Sequence, residues 1–360
     1  GIQNSHNKFS IPAITPLIFN LSLIGSAWLV APKIDIPVMA LAWGVLLAGF
    51  LQLLFQIAPL ATIKKIPIPK IDFQNPGVKK FFILILPAIV AGGIAQINLL
   101  IDTIFASLLI TGSPTWLYVS DRLIQFPMGI FAIAIGTVLL PSLSKAYAQK
   151  EIQAYAEQLE HAFKLVFFLA IPSLIGLVLF ASPLLATIFQ RGAFLWSDVQ
   201  QASLSLIAFS FGLPFFMAMK VLVPAFFSRQ NTKTPMLIAF LSLLINVCLN
   251  YLLAFYFGLG HLGLAIASSI SAIVSVIILS FILKRDGLIS FAGILSTFSL
   301  KVLIASVALI SFLSIFNQYF DFELFSQTQR LLHLVAAVIG SLIIYFGSSF
   351  ILGVRPADFK

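Results

Sequence analysis

Long apolar runs alternate with short polar connections along the whole chain. Each run is close to the about 20 residues that an α-helix needs to cross a membrane. Bounded by Pro, Gly, Asn or charged residues, the runs predict ten membrane spans. A β-barrel is excluded, because runs such as Leu204–Met217 and Val335–Phe350 carry no charge and do not alternate between apolar and polar positions. The pattern predicts an all-α polytopic membrane protein with spans near residues 12–31, 36–59, 80–110, 116–140, 163–188, 199–224, 235–257, 261–283, 295–316 and 330–353.

The composition agrees with this fold class. Of 360 residues, 60% are hydrophobic and 9% are charged, and the mean hydropathy is +1.07, whereas a soluble domain carries roughly a quarter charged residues. In a soluble protein the net charge of +9 would suggest a nucleic-acid partner. Here most basic residues lie in the connections between spans, so we predict no nucleic acid.

The basic residues also predict the orientation in the membrane. With ten spans both ends lie on one side, and that side carries sixteen of the lysines and arginines against three on the other. Cytoplasmic connections are enriched in Lys and Arg, so both ends of the chain are predicted to be cytoplasmic. The sixteen are Lys8, Lys64, Lys65, Lys70, Lys79, Lys80, Lys145, Lys150, Lys164, Arg229, Lys233, Lys284, Arg285, Lys301, Arg355 and Lys360, and the three are Lys33, Arg191 and Arg330.

Two predicted cytoplasmic connections are longer than a turn. Residues 62–80 combine lysines with three prolines, which predicts an extended segment against anionic headgroups. Residues 142–161 are rich in Ala, Gln, Glu and Lys, which predicts a surface helix that continues into the next span. Neither connection is long enough to form a soluble catalytic domain.

Arg122 is a charged residue near the start of the predicted span 116–140. The preceding residue, Asp121, points about 100° away on a helix and cannot neutralise it face to face. A guanidinium left partly free in a cavity is a good bidentate ligand for phosphate. The alternative is an arginine that reaches to the membrane interface or pairs with another helix.

Asp102 lies deep in a predicted span, with Asn98 one helical turn before it. Asn246 and Asn250 have the same spacing in another span. Together these side chains could supply oxygen ligands for a hard cation such as Na⁺, or Asp102 could carry a proton. The alternative is hydrogen bonding between helices by the asparagines. Lys220, nearer the cytoplasmic end of its span, either extends to the interface or touches a substrate.

No catalytic signature accompanies these residues, and we predict that the protein is not an enzyme and holds no cofactor. Gly258–Gly263 matches GxGxxG but lies in a short turn between spans, without the βαβ unit that a dinucleotide site needs. A transferase acting on a polyprenyl carrier would need clustered acids to hold Mg²⁺, and only Asp121 and the isolated Asp102 are available. A scaffolding function would not explain why Asp102 and Arg122, which are costly to bury, lie within predicted spans.

Several stretches, in the same order along the chain, resemble the MurJ (MviN) lipid II flippase family of the multidrug/oligosaccharidyl-lipid/polysaccharide (MOP) exporter superfamily. The match extends over most of the chain. The stretches are Asn4–His6, Asp102–Ser107, Gly112–Tyr118, Asp121–Leu123, Phe126–Pro127, Leu140–Ser144 and Lys220–Pro235.

The resemblance implies a two-lobed, fourteen-helix transporter fold, of which this chain would contain helices five to fourteen and lack the first helices. Residues 1–78 would form the last two helices of the N-terminal lobe and a basic cytoplasmic linker. Residues 79–290 would form the six-helix C-terminal lobe, and residues 291–360 an additional helix pair whose groove holds a lipid tail.

The implied function is a flippase of the bacterial inner membrane. By alternating access it would move lipid II, the undecaprenyl-pyrophosphate-linked disaccharide-pentapeptide, to the periplasmic leaflet for peptidoglycan synthesis, and so support the cell wall and cell shape. The implied partners are lipid II, membrane lipids and cell-wall synthesis proteins. The alternative is a cation-coupled MOP exporter of drugs or other polyprenyl-linked glycans.

The resemblance also implies roles for single residues. Arg122 matches the family's cavity arginine, which is thought to engage the pyrophosphate, and Asp121, Thr115, Gln125 and Lys220 are the other expected substrate-binding residues. Three further residues match positions associated with a sodium site in some members. An asparagine stands at one of them where an acidic residue can occur, which leaves fewer charged ligands for an ion. The expected coupling source is sodium or the membrane potential. These cation-site candidates are Asp102, Asn246 and Asn250.

The predicted orientation can be tested by labelling single cysteines. In a background with Cys248→Ser, we expect a membrane-impermeant maleimide to label Ser197→Cys in intact spheroplasts, because that position lies in a predicted periplasmic connection. Gln149→Cys, in a predicted cytoplasmic connection, should react only after the membrane is permeabilised. Labelling of Gln149→Cys in intact spheroplasts would contradict the orientation.

Overall fold

The structure is a computed structural model that describes residues 10–62, 93–94, 96–289, 297–320 and 322–359. The regular elements of these ranges are all helical. The chain forms two compact units, residues 1–79 and residues 80–360, and each is described by itself. The three-part division expected from the family resemblance stays a prediction, and residues 63–80, which contain the predicted basic linker, lie outside the described ranges.

The first unit is a pair of packed helices. Helix α1, Ser10–Gly25, continues through a π-helical segment, Ser26–Val30, and a short turn leads to helix α2, Pro37–Thr62. Gly44 permits the close approach of the pair, since a Cβ there would lie 2.5 Å from the hydroxyl oxygen of Ser26. Both helices expose most of their large apolar side chains, as expected of helices that face lipid.

The second unit is a larger helical bundle. Its first described helix, α3, covers residues 96–107. The others are α4 Ser113–Pro127, α5 Ile133–Ala148, α6 Ile152–Leu179, α7 Ala181–Phe189, α8 Trp196–Phe227, α9 Lys233–Leu249, α10 Gly260–Arg285, α11 Thr297–Tyr319 and α12 Gln327–Ile351. Two π-helical segments, Met128–Ala132 and Asn250–Tyr256, join α4 to α5 and extend α9.

These elements confirm the predicted fold class. Within the described residues, eight helical segments are long and apolar enough to span a membrane. The predicted span 116–140 corresponds to the continuous α4, π-helical segment and α5. The predicted span 80–110 lies largely outside the described ranges.

Helix α8 is the centre of the second unit. It packs against α4, α6, α7 and α10, and its Leu206, Leu213 and Met217 side chains are fully buried. Close packing against α10 depends on small residues, because a Cβ at Gly212 would lie 2.6 Å from the Ser269 hydroxyl oxygen. The Ser269 hydroxyl also donates to the carbonyl oxygen of Ala208 at 2.8 Å. These contacts hold α8 and α10 close together.

The last two helices form a second core with α6. Helix α11 packs against α12 and α6. The Tyr345 hydroxyl of α12 donates to the carbonyl oxygen of Phe168 in α6 at 2.6 Å, and the Phe168 and Tyr345 rings lie 5.2 Å apart. This pair of helices therefore belongs to the second unit through α6.

The connection predicted as one surface helix over residues 142–161 is divided in the structure. Helix α5 ends at Ala148 and α6 begins at Ile152, with Lys150 between them in a left-handed conformation at φ +60°. Tyr155 and Leu159 are fully buried, and the Tyr155 hydroxyl donates to the carbonyl oxygen of Ala225 at 2.6 Å. The prediction was right that a helix runs into the next span, and wrong that it is one continuous surface helix.

Glycines of the GxGxxG stretch serve a turn and close helix packing. Gly258 and Gly260 have φ of +68° and +57° at the turn before α10. At Gly263 a Cβ would lie 2.7 Å from the backbone nitrogen of Ala254, in the π-helical segment that extends α9. The stretch lies at a turn between two helical elements, as predicted, and does not follow a strand as a dinucleotide fingerprint does.

The packing at Gly263 leads to a stability prediction. Gly263→Ala should lower the free energy of unfolding in detergent by about 1–3 kcal/mol, because the backbone of the neighbouring segment must move. The matched control is Gly176→Ala within α6, where no atom lies within 4 Å of an added Cβ. Equal unfolding free energies for both variants would contradict the close approach.

Candidate functional site

A cavity of about 940 Å³ opens within the second unit, between α3, α4, α8, α9 and α10. Its wall is mainly apolar, with a limited number of polar groups. The polar and charged lining residues are Asn98, Asp102, Thr103, Thr115, Tyr118, Asp121, Arg122, Gln125, Ser242, Asn246, Ser268, Ser271 and Ser275. A cavity of this size and character is typical of a small-molecule site.

One face of α4 forms the charged wall of the cavity. Thr115, Tyr118, Arg122 and Gln125 recur at intervals of three or four residues and all line the cavity. This spacing places them along a single stripe of the helix. The sequence of α4 therefore determines which side chains share the wall.

The opposite face of α4 is anchored to α8. The indole nitrogen of Trp116 donates to Asp198 at 2.8 Å, and the Ser120 hydroxyl donates to the carbonyl oxygen of Ala202 at 2.7 Å. Trp116 and Ser120 are buried. Since one face of α4 is buried in this way, its charged face is directed into the cavity.

Arg122 has no carboxylate partner among the ion pairs of the described residues. Its guanidinium carbon lies 4.7 Å from the centroid of the Tyr118 ring. The neighbouring Asp121 instead accepts a hydrogen bond from the side-chain nitrogen of Gln125 at 3.4 Å. The positive charge is thus available to an anion in the cavity, and the structure places Asp121, Thr115 and Gln125 on the same wall.

A polar cluster surrounds Asp102 and joins three helical elements. Its two carboxylate oxygens accept hydrogen bonds from the side-chain nitrogens of Asn98 at 3.2 Å and Asn250 at 2.6 Å. Asn250 also donates to the side-chain oxygen of Asn246 at 2.9 Å, and Asn246 donates to the Ser268 hydroxyl at 3.2 Å. The structure therefore brings the three predicted cation-site residues together, although Asp102 and Asn250 are 148 positions apart.

Two oxygens of this cluster remain unused. The side-chain oxygens of Asn98 and Asn250 are buried and have no hydrogen-bond partner within the described part of the chain. Burying an amide oxygen without a donor or cation is unfavourable by about 1–3 kcal/mol. Hydrogen bonding between helices, the alternative reading of the asparagines, accounts for their nitrogens and leaves these oxygens unexplained.

Lys220 is placed differently from the other predicted substrate-binding residues. Its side chain is exposed and is not part of the cavity wall, whereas its neighbour Met219 is. Sequence reasoning also missed Tyr118 and the serines of α10. The sequence spacing could have indicated both. Tyr118 precedes Arg122 by four residues, which places the two on one face of a helix, and Ser268, Ser271 and Ser275 are spaced along one helical face.

Comparison with known proteins identifies the family. The sequence model described as "Lipid II flippase MurJ" matches residues 1–330. The chain belongs to the MurJ family. A probable lipid II flippase MurJ of Vibrio cholerae is 42% identical over 78% of this chain and 53% of its own length. A probable lipid II flippase MurJ of Haemophilus influenzae is 36% identical over 99% of this chain and 70% of its own length.

Solved structures agree with this membership. A lipid II flippase MurJ in an inward closed conformation superposes with a TM-score of 0.72 at 27% identity, over 95% of this chain and 68% of that one. An outward-facing multidrug resistance MATE transporter of the MOP superfamily gives a TM-score of 0.51 at 16% identity, over 73% of this chain and 62% of that one. The second likeness concerns the fold alone, and both confirm a MOP-type helical transporter fold.

Membership settles two broader expectations. The MurJ family is a family of transporters, so the prediction that the protein is not an enzyme is confirmed and the transferase reading is wrong. With its apolar helices and this membership, the chain is a multi-pass protein of the bacterial inner membrane. The orientation of its two ends stays a prediction. The chain spans about half of the Vibrio relative and about two thirds of the solved MurJ structure.

The polar cluster leads to a stability prediction. Asn250→Leu should lower the free energy of unfolding by about 2 kcal/mol, since it removes donors to Asp102 and Asn246 within a buried cluster. The control is Ser311→Ala in α11. The exposed Ser311 hydroxyl donates to the carbonyl oxygen of Val307 within the same helix, so its loss should change the free energy of unfolding little. Denaturant titration in detergent measures both, and an unchanged Asn250→Leu protein would contradict the cluster's role.

Proposed function

We propose that the protein moves lipid II from the cytoplasmic to the periplasmic leaflet by alternating access. Membership of the MurJ family supports this substrate. The structural observation that carries the proposal is the guanidinium of Arg122, which lines a large cavity in the second unit without a carboxylate partner among the described residues. An unneutralised cation in a membrane-embedded cavity is costly, and an anionic ligand offsets that cost.

A pyrophosphate suits Arg122 chemically. The planar guanidinium can donate two parallel hydrogen bonds to phosphate oxygens, and such charge-assisted bonds are about twice as strong as neutral ones. Thr115 and Gln125 add hydrogen-bonding groups on the same wall of α4, and Gln125 holds the carboxylate of Asp121. These residues form the proposed pyrophosphate end of the site. Lys220, outside this wall, has no part in it.

The remainder of the cavity is suited to the uncharged part of a headgroup. Ser242, Ser268, Ser271 and Ser275 line it from α9 and α10. The hydroxyls of Ser271 and Ser275 each donate to a backbone carbonyl within α10, at 2.8 Å. Their oxygens retain acceptor capacity for the hydroxyls and amides of a sugar or peptide. An anion-binding wall next to a hydroxyl-bearing wall favours a glycan-bearing phosphate over an apolar drug.

We also propose that the cluster around Asp102 holds a hard cation such as Na⁺ during the transport cycle. The fit is supported by the two buried side-chain oxygens of Asn98 and Asn250 that lack a partner among the described residues. Carboxylate and amide oxygens are the ligands that hard cations take. Bound there, the ion would link α3 to α9 and couple its gradient, or the membrane potential, to the movement of these helices.

The alternative function, a cation-coupled exporter of drugs or other polyprenyl-linked glycans, shares the cation cluster. A drug exporter would need no pyrophosphate partner for Arg122, whereas an exporter of other polyprenyl-linked glycans would differ in the glycan that the serine-lined wall must bind. Membrane lipids and cell-wall synthesis proteins remain proposed partners.

Growth of a flippase-depleted bacterium tests the proposed function. The full-length protein should rescue growth, and Arg122→Ala should abolish rescue at equal expression because the pyrophosphate loses its cationic partner. Arg191→Ala is the matched control, since this exposed arginine donates to the carbonyl oxygen of Ile188 outside the cavity. Full rescue by Arg122→Ala, or no rescue by the unaltered protein, favours the exporter.

Binding of radioactive ²²Na⁺ to the purified protein tests the cation proposal. Asp102→Asn should reduce saturable ²²Na⁺ binding at least about tenfold, because the carboxylate is the only charged group in the cluster described here and its loss removes the main electrostatic attraction. Glu157→Gln, which removes an exposed carboxylate of α6 outside the cavity, should leave binding unchanged. No saturable binding by the unaltered protein would refute sodium as the ion.

A further inference from the structure

Tyr118 lies beside the proposed phosphate-binding arginine. The two residues are four positions apart on α4, so their side chains lie on the same face of the helix. The guanidinium carbon of Arg122 is 4.7 Å from the centroid of the Tyr118 ring, within the range of a cation–π contact. Both residues line the cavity, and Tyr118 is 56% exposed.

Because the guanidinium of Arg122 lies over the face of the Tyr118 ring, its N–H groups remain available to bind a ligand. A guanidinium attracted to the face of a ring keeps its N–H groups at its edge, where they can still donate hydrogen bonds. The aromatic ring is the part of Tyr118 that contacts Arg122, and within the described residues the Tyr118 hydroxyl makes no hydrogen bond. The ring thus restrains the arginine without using its donors.

Without the ring, Arg122 would have a competing partner in the same cavity. The carboxylate of Asp102 also lines it. An arginine is long and flexible, and attraction between opposite charges is strong where water is scarce. The cation–π contact favours the orientation in which the guanidinium is not paired with a carboxylate.

We propose that Tyr118 is a positioning residue that holds the Arg122 guanidinium ready to bind a pyrophosphate through two hydrogen bonds. The inference rests on the proposed function, because it takes a pyrophosphate-headed lipid as the ligand. The aromatic ring supplies the effect, and the hydroxyl group does not contribute.

Binding of farnesyl pyrophosphate to the full-length protein in lipid nanodiscs tests the proposal. Tyr118→Phe keeps the ring and should bind the probe within about twofold of the unaltered protein. Tyr118→Leu should bind about fivefold more weakly, the size expected for loss of a partly exposed cation–π contact. Tyr319→Leu is the matched control, because this exposed tyrosine at the end of α11 lies outside the cavity and should change nothing.

A double-mutant cycle separates positioning from a general structural effect. In an Arg122→Ala background, Tyr118→Leu should cause no further loss of binding, because the residue acts only through the arginine.

The outcomes distinguish this inference from the proposed function. If Tyr118→Phe binds as weakly as Tyr118→Leu, or if the loss persists without Arg122, positioning by the ring is refuted while the flippase proposal stands. If Tyr118→Leu binds the probe as well as the unaltered protein and Arg122→Ala does not, positioning by Tyr118 is refuted and the flippase proposal stands. If Arg122→Ala binds the probe normally, or the unaltered protein does not bind it, the phosphate-binding role of Arg122 fails and the inference fails with it.

Discussion

The attachment of α4 to α8 is the interaction on which the cavity depends. One face of α4 carries Trp116 and Ser120, which hydrogen bond to Asp198 and to the backbone of α8. Within the membrane a polar group gains from any available partner, since water does not compete for it. Because these bonds occupy the apolar and hydroxyl-bearing face of α4, the face with Arg122 and Tyr118 is left for the cavity.

Asp102 and Arg122, two of the charged residues that line the cavity, have opposite kinds of surroundings. The carboxylate of Asp102 accepts hydrogen bonds from two asparagine nitrogens on separate helical elements. Arg122 has an aromatic ring beside it and no carboxylate partner among the ion pairs of the described residues. A carboxylate surrounded by amides can exchange donors for a cation, and an arginine beside a ring can accept an anion. Under the proposed function, both arrangements leave the charged groups able to bind ligands instead of pairing with each other.

The helices that form the cavity also depart from regular geometry at its edges. A π-helical segment begins at Met128, a cavity-lining residue directly after α4, and another begins at Asn250, which bonds to Asp102. Such segments are rare and are found frequently at functional sites. Gly263 makes room for the second one by bringing the backbone of α10 against Ala254. Small residues and irregular turns therefore shape the same region that carries the charges.

The local pattern of the sequence determined the helices and the polar face of α4. Apolar runs of membrane-spanning length define the helices, and the spacing of Thr115, Arg122 and Gln125 places them on one stripe, because helical periodicity is a local property. Tertiary structure alone decided three other features. They are the pairing of Asn250 with Asp102, the exclusion of Lys220 from the cavity and the division of residues 142–161 at Lys150. Each depends on which helices pack together and how closely, and that is determined by contacts between residues far apart in the chain.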